Sequence, residues 1–140
     1  MTVIHEVAFQ VRDYECDLQG VVNNAVYQNY LEHARHEFLK QYGLDFAALT
    51  RARVNLVVIR AELDYKNSLA SGNSFVVRSR LEQVSRVRFA FHQQVIRMPD
   101  EGLMLAAVIT VVGVNEKGRP YLPDELRPML NVLQQTEPRV

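Results

Sequence analysis

One stretch concentrates the residues able to do chemistry: Arg12-Asp-Tyr-Glu-Cys-Asp17-Leu-Gln-Gly20-Val-Val-Asn23-Asn24-Ala-Val-Tyr27. Asn23 or Asn24 suits the N-cap of the helical pattern that follows, and the unpaired N–H groups of a helix start carry partial positive charge. An oxygen on which negative charge develops is stabilised there, often by about 3 kcal/mol per donor. Asp17 precedes Asn24 on a loop that Gly20 bends, so its ionised carboxylate can fold back over the same spot. Beside an activated acyl carbonyl such a group either attacks the carbon, giving a mixed anhydride, or orients and deprotonates water. Both routes stay open. A thioester carbonyl is electrophilic enough to need neither a metal nor a Ser-His-Asp triad, and no H-E-x-x-H, G-x-S-x-G or Cys/His cluster occurs.

The other polar residues have plainer readings. Asp13 and Glu15 are expected to be solvent-facing turn acids. His33 and His36 lack partners at metal-ligand spacing and read as surface or interface groups, as do His5 and His92. Glu32 and Arg35, three apart on one helix face, suggest an ordinary ion pair, with a supporting role for Arg35 at the site as the alternative. Tyr27, Tyr30 and Phe38 form a stripe that reads as core, part of which could line an acyl channel. Lys66, Arg86 and Arg88 are candidates to meet an anionic partner.

The elements that must position these residues follow from periodicity. Val3 to Val11 alternates as a half-buried strand, and Asn24 to Tyr42 repeats its apolar residues at helical spacing up to Gly43. A short helix is expected around Phe46 to Thr50. Strands then follow at Val54–Tyr65, Phe75–Val84, Val87–Ile96 and Leu103–Val114, with turns at Asn67–Asn73, Pro99–Gly102 and Asn115–Pro120. Leu103–Val114 is almost wholly apolar and belongs at the centre of a sheet. Pro123 to Leu133 suits a final short helix. Strand, long helix and four further strands make an α+β plan, an antiparallel sheet covering one helix. Gln28, Glu32, Arg35, His36 and Lys40 form the helix's polar stripe, left for solvent, a partner subunit or a site. Such a sheet keeps an open edge, so at least a homodimer is expected.

A chain of 140 residues with 48% apolar composition suits one domain, residues 1–140. Sixteen basic and sixteen acidic side chains cancel, which argues against bulk electrostatic binding to nucleic acid or an anionic membrane. Neither a signal-peptide core nor an apolar run long enough to span a bilayer is evident, and the single Cys16 forms no internal disulfide, so a cytoplasmic location is expected.

The run from Tyr14 through Asp17, Gly20, Asn23, Asn24 and Tyr27 to Tyr30, Glu32 and Arg35 resembles the signature of the 4-hydroxybenzoyl-CoA thioesterase-like branch of the hotdog superfamily. Its Val-Asn-Asn-Ala-x-Tyr form is most similar to bacterial long-chain acyl-CoA thioesterases and plant plastid acyl thioesterases. The resemblance covers nearly the whole chain and implies a hotdog fold, hydrolysis of an acyl-CoA or acyl-carrier-protein thioester, a homodimer or homotetramer with the site at a subunit interface, and no metal or redox cofactor. By position, Asp17 matches the catalytic carboxylate and Asn24 the residue whose N–H faces the thioester oxygen, with Gly20 and Tyr27 as shaping residues. Some relatives carry histidine at position 24, from which this chain departs. A group that releases polyketides often lacks the carboxylate and relies on the helix arginine; here Asp17 and Arg35 are both present. The rival readings are a hotdog hydratase or dehydratase, which needs a histidine base paired with an acid near the helix, and a non-catalytic acyl-thioester-binding protein.

Overall fold

A computed structural model describes residues 4–136, apart from the side chains of Phe46, Val132 and residues 134–136. The elements are β1 (His5–Gln10), α1 (Asn24–Lys40), α2 (Phe46–Arg51), β2 (Asn55–Tyr65), β3 (Ser74–Gln83), β4 (Arg88–Met98), β5 (Gly102–Val114), β6 (Pro120–Tyr121) and α3 (Arg127–Thr136). Short 3-10 turns occupy Asp13–Glu15 and Asp124–Leu126. The strands and the long helix fall where periodicity puts them; Val3, assigned to the first strand, lies outside the described residues. The helix ends two residues before Tyr42, and the N–H of Gly43, at φ +71°, closes on the Lys40 carbonyl. The two-residue β6 and the 3-10 turn at Asp13 have no counterpart in the sequence reading, being too short to show a period.

The strands pair antiparallel in the order β1-β3-β4-β5-β2, with β6 added to β5 at Gly113 and Val114. In β3 the alternation is strict: Phe75, Val77, Ser79 and Leu81 are buried, while Val76, Arg78 and Arg80 are only half-buried. The apolar β5 lies between β4 and β2, as its composition demands. Over the inward face lies α1, packed most closely on β3 and β1, with Tyr27, Tyr30, Leu31, Ala34, Phe38 and Leu39 buried. Phe9 and Phe75, register partners on β1 and β3, stack with ring centroids 5.0 Å apart, and the Tyr30 ring stands 4.7 Å from Phe75. Phe38 meets Phe91 edge-on at 5.5 Å, and such pairs add about 1 kcal/mol each to the burial itself.

β1 and β2 are the sheet's two edges. In β2 the register shifts between Val58 and Arg60. Val58 and Ala61 lie opposite Val111 and Ile109, both buried on the helix side. This bulge resets the alternation, so that Val58 and Ala61 both face α1 while Arg60, Glu62 and Asp64 point outward. It explains why the strand's sequence is apolar at first and alternating later. Val57, Val58 and Ile59 remain 38%, 49% and 47% exposed, an apolar edge of the kind that proteins normally cover.

Candidate active site

Between β1 and α1 the chain folds into a small hairpin. Cys16 bridges Val22, the Asp17 N–H donates to the Val21 carbonyl at 2.9 Å, and the Gly20 N–H donates to the Asp17 carbonyl at 3.0 Å. The loop must turn left-handed at its last position, and Gly20 does so at φ +79°, where a side chain would be strained. Asp17 stands at the start of this turn, exposed, with Oδ1 accepting the Gln19 N–H at 2.9 Å. Exposed Leu18 and Tyr14 flank it. At the hairpin's base the Asn23 N–H donates to the Glu15 carbonyl, and Val22 and Val21 pair with Leu69 and Ala70 in the turn before β3.

Asn23 is the N-cap. Its Oδ1 accepts the Ala25 N–H at 2.9 Å and its carbonyl accepts the Val26 N–H at 2.9 Å. Asn24 opens the helix, and its own N–H has no acceptor among the described residues. The Asn24 carbonyl accepts the Tyr65 hydroxyl at 3.2 Å, which ties the end of β2 to the helix start. Tyr27, one turn on, is buried, and its hydroxyl oxygen accepts the Leu69 N–H at 2.9 Å. Burial raises the Tyr27 phenol, the Leu69 N–H opposing it, so the ring stays neutral and shapes the loop. Asp17 and Asn24 are thus on one hairpin but out of contact, three ladder positions apart, or about 10 Å along the strand.

Glu15 corrects a sequence expectation. It is not a solvent-facing turn acid: its side chain is 11% exposed, and Oε1 accepts both the Arg12 N–H at 2.8 Å and the Tyr30 hydroxyl at 2.9 Å. Asp13 does stand exposed in its turn, accepting a hydrogen bond from the Ser71 hydroxyl. Burial first, and the Glu15 carboxylate second, push the Tyr30 phenol well above its ordinary value. This bond anchors the segment carrying Asp17 to the helix core. Tyr65 and Glu15 are the two site-forming residues that motif reading passed over; neither stands at a diagnostic spacing.

Arg35 is also placed differently from expectation. The described ion pairs join Glu32 to His36, at 3.8 Å, and not to Arg35. Half-buried, Arg35 donates from Nη1 to Gln93 Oε1 at 3.1 Å, and desolvation lowers its pKa, Glu32 opposing weakly. It stands eleven residues along α1 from Asn24, about 16 Å at the helical rise, so the structure does not bring it to the helix start. His33 pairs with Glu37 and His92 with Glu82, while the His5 ring meets Phe38 edge-on. Of the basic candidates, Lys66 adjoins Tyr65, whereas Arg88 pairs with Val112 at the other end of β5. Arg86, in the turn before β4, lies at that far end too.

The chemistry available is therefore a carboxylate on a tight turn and one unengaged main-chain donor at a helix start. The sequence profile of the thioesterase-like superfamily matches residues 11–135 of this chain. The chain belongs to the thioesterase-like superfamily. By that membership it is a thioester hydrolase, and the sheet wrapped over α1 is the hotdog fold. The superfamily members it resembles include a chloroplastic acyl-acyl carrier protein thioesterase of Arabidopsis thaliana, 38% identical over 91% of this chain and 67% of the relative. A long-chain acyl-CoA thioesterase of Escherichia coli is 30% identical over 84% of this chain and 88% of the relative. A probable thioesterase of Bartonella henselae superposes with a TM-score of 0.80 at 25% identity, covering 86% of this chain and all of the other (100%). A 1,4-dihydroxy-2-naphthoyl-CoA thioesterase of Synechocystis shares the fold with a TM-score of 0.87 at 18% identity, covering 96% and 98% of the two chains. Among the described residues no helix is long and apolar enough to cross a membrane.

Proposed function

We propose that the protein hydrolyses an acyl-CoA or acyl-carrier-protein thioester to the free acid and thiol, with Asp17 as nucleophile or general base and the Asn24 N–H as oxyanion donor. The observation that carries this reading is the Asn24 N–H, without an acceptor among the described residues, at the base of the hairpin whose turn presents Asp17. As the carbonyl oxygen gains charge, the N–H and the helix dipole hold it, while Gly20 and Tyr27 fix the loop that aims Asp17. Arg35 acts at a distance from the carbonyl, in supporting binding. The exposed apolar edge of β2 favours a homodimer or homotetramer in which a second copy covers that strand beside the site.

The test is thiol release from a panel of acyl-CoA and acyl-carrier-protein thioesters by wild type and Asp17→Asn. An amide keeps the Oδ1 bond to Gln19, so the turn should persist while kcat falls by a factor of about 10² to 10⁴. Full activity in Asp17→Asn would refute the assignment. A wild type that binds but never turns over would point to an acyl-thioester-binding protein, and hydration of an enoyl thioester to the hydratase.

A further inference from the structure

We propose that Tyr65 is a positioning residue for the hydrolysis: its hydroxyl grips the first peptide of α1 and so fixes the direction of the Asn24 N–H. The inference rests on the reading that makes this N–H the oxyanion donor.

Tyr65 ends β2 opposite the fully buried Leu105. The chain is pinned just beyond it, since the Lys66 and Asn67 N–H groups both donate to the Met104 carbonyl, at 2.8 and 3.1 Å, and Asn67 Nδ2 donates to the Leu103 carbonyl at 3.1 Å. The phenol is therefore carried by the sheet. Its ring meets buried Tyr27 edge-on at 5.6 Å, and its hydroxyl donates to the Asn24 carbonyl at 3.2 Å. Asn24 lies between two peptide planes, and each is tied down. The plane before it, which carries the N–H, is held where the Asn23 carbonyl accepts the Val26 N–H at 2.9 Å. The plane after it is held at both ends: the Asn24 carbonyl accepts from Tyr65, and the Ala25 N–H donates to Asn23 Oδ1 at 2.9 Å. Because a peptide is planar, fixing both ends also fixes the Asn24 Cα beside which its N–H projects.

Folding alone gives this hydroxyl little reason to be here. The groups that a helix start leaves unpaired are N–H groups, whereas its carbonyls already accept from the next turn. Tyr65 satisfies none of those N–H groups: it grips a carbonyl and leaves the Asn24 N–H without an acceptor among the described residues. At 44% exposure the side chain has water at hand, so its hydroxyl needs no protein acceptor to offset burial. What the bond supplies is direction. A donor already aimed at the developing charge needs no reorganisation as the oxygen becomes negative, which is where such a site gains its rate.

The experiment is a double-mutant cycle in kcat, read by thiol release from palmitoyl-CoA or palmitoyl-carrier protein, on wild type, Tyr65→Phe, Asn24→Pro and the double variant. Tyr65→Phe keeps the ring and loses one long hydrogen bond, so kcat should fall about threefold with KM nearly unchanged. In Asn24→Pro, which has no N–H to direct, the same change should leave kcat where it is. An equal loss in both backgrounds would show that Tyr65 acts by another route and would overturn the inference, as would an unchanged kcat in Tyr65→Phe alone. A readout free of turnover is the NMR order parameter of the Asn24 amide, which should drop in Tyr65→Phe while that of Ala34, mid-helix, stays unchanged. No drop at Asn24 would also overturn it. Asn24→Pro with wild-type kcat, or thiol released from neither substrate by wild type, would instead overturn the catalytic reading beneath it.

Discussion

Replacing Asn23 by alanine tests whether the helix cap serves the chemistry or only the fold. The cap bond from the Ala25 N–H to Asn23 Oδ1 is 2.9 Å long and exposed, so water can take its place in part. Loss of such a cap costs about 1 kcal/mol. In a domain of this size that lowers Tm by about 3–4 °C. The same turn fixes the direction of the Asn24 N–H, and loosening it removes alignment in the transition state more than ground-state binding. The kcat for acyl-CoA hydrolysis should therefore fall about fivefold, the rate equivalent of about 1 kcal/mol, with KM nearly unchanged. Asn23→Ser, which restores a capping oxygen, should recover both quantities. Thermal melts and steady-state thiol release on the three proteins decide the matter. A lowered Tm with kcat intact in Asn23→Ala would show that the helix start is structural alone.

Gly20→Ala meets no atom within 4 Å, so its cost is the left-handed backbone, about 1 kcal/mol or more; kcat should fall further than Tm suggests because the turn carries Asp17. Tyr30→Phe removes the hydroxyl that Glu15 accepts and should lower Tm by about 3–6 °C at neutral pH. Because folding raises the Tyr30 pKa, the unfolded chain gives up this proton first. The associated stability is complete below about pH 10 and is lost as pH rises toward the higher folded value. Melts from pH 8 to 11 should thus show a steeper alkaline decline in wild type than in Tyr30→Phe, and parallel curves would deny the coupling.

The strands and long helix were legible because each buries one face at its own period. Phe75, Val77 and Leu81 alternate, and Tyr27, Tyr30 and Phe38 recur at helical spacing. The β2 bulge was visible only as a change of pattern near Ile59, whose meaning needs the register against β5. Two adjacent asparagines are equally good caps by residue type, so only backbone geometry distinguishes Asn23 from Asn24. Glu15 was misread because its burial comes from Tyr30, which helix packing brings down from fifteen residues away. Gln93 lies at an inward position of β4, yet its partners Ser79, Leu31 and Arg35 are 14, 62 and 58 residues distant, beyond any local pattern. The motif made Asp17 and Asn24 legible as candidates; the ladder that spaces them is a property of the folded hairpin.

The central claim, that the main-chain N–H of Asn24 polarises the reacting carbonyl, is tested most directly by kcat of Asn24→Pro beside Asn24→Ala. Proline suits the first helical position, and the residue before it is already extended, with Asn23 at φ −64° and ψ 139°, so the helix should be kept while the donor is removed. A drop in kcat of about 10² to 10³ for Asn24→Pro, with Asn24→Ala close to wild type, is the predicted result. Equal kcat values for the two variants in folded protein would contradict it.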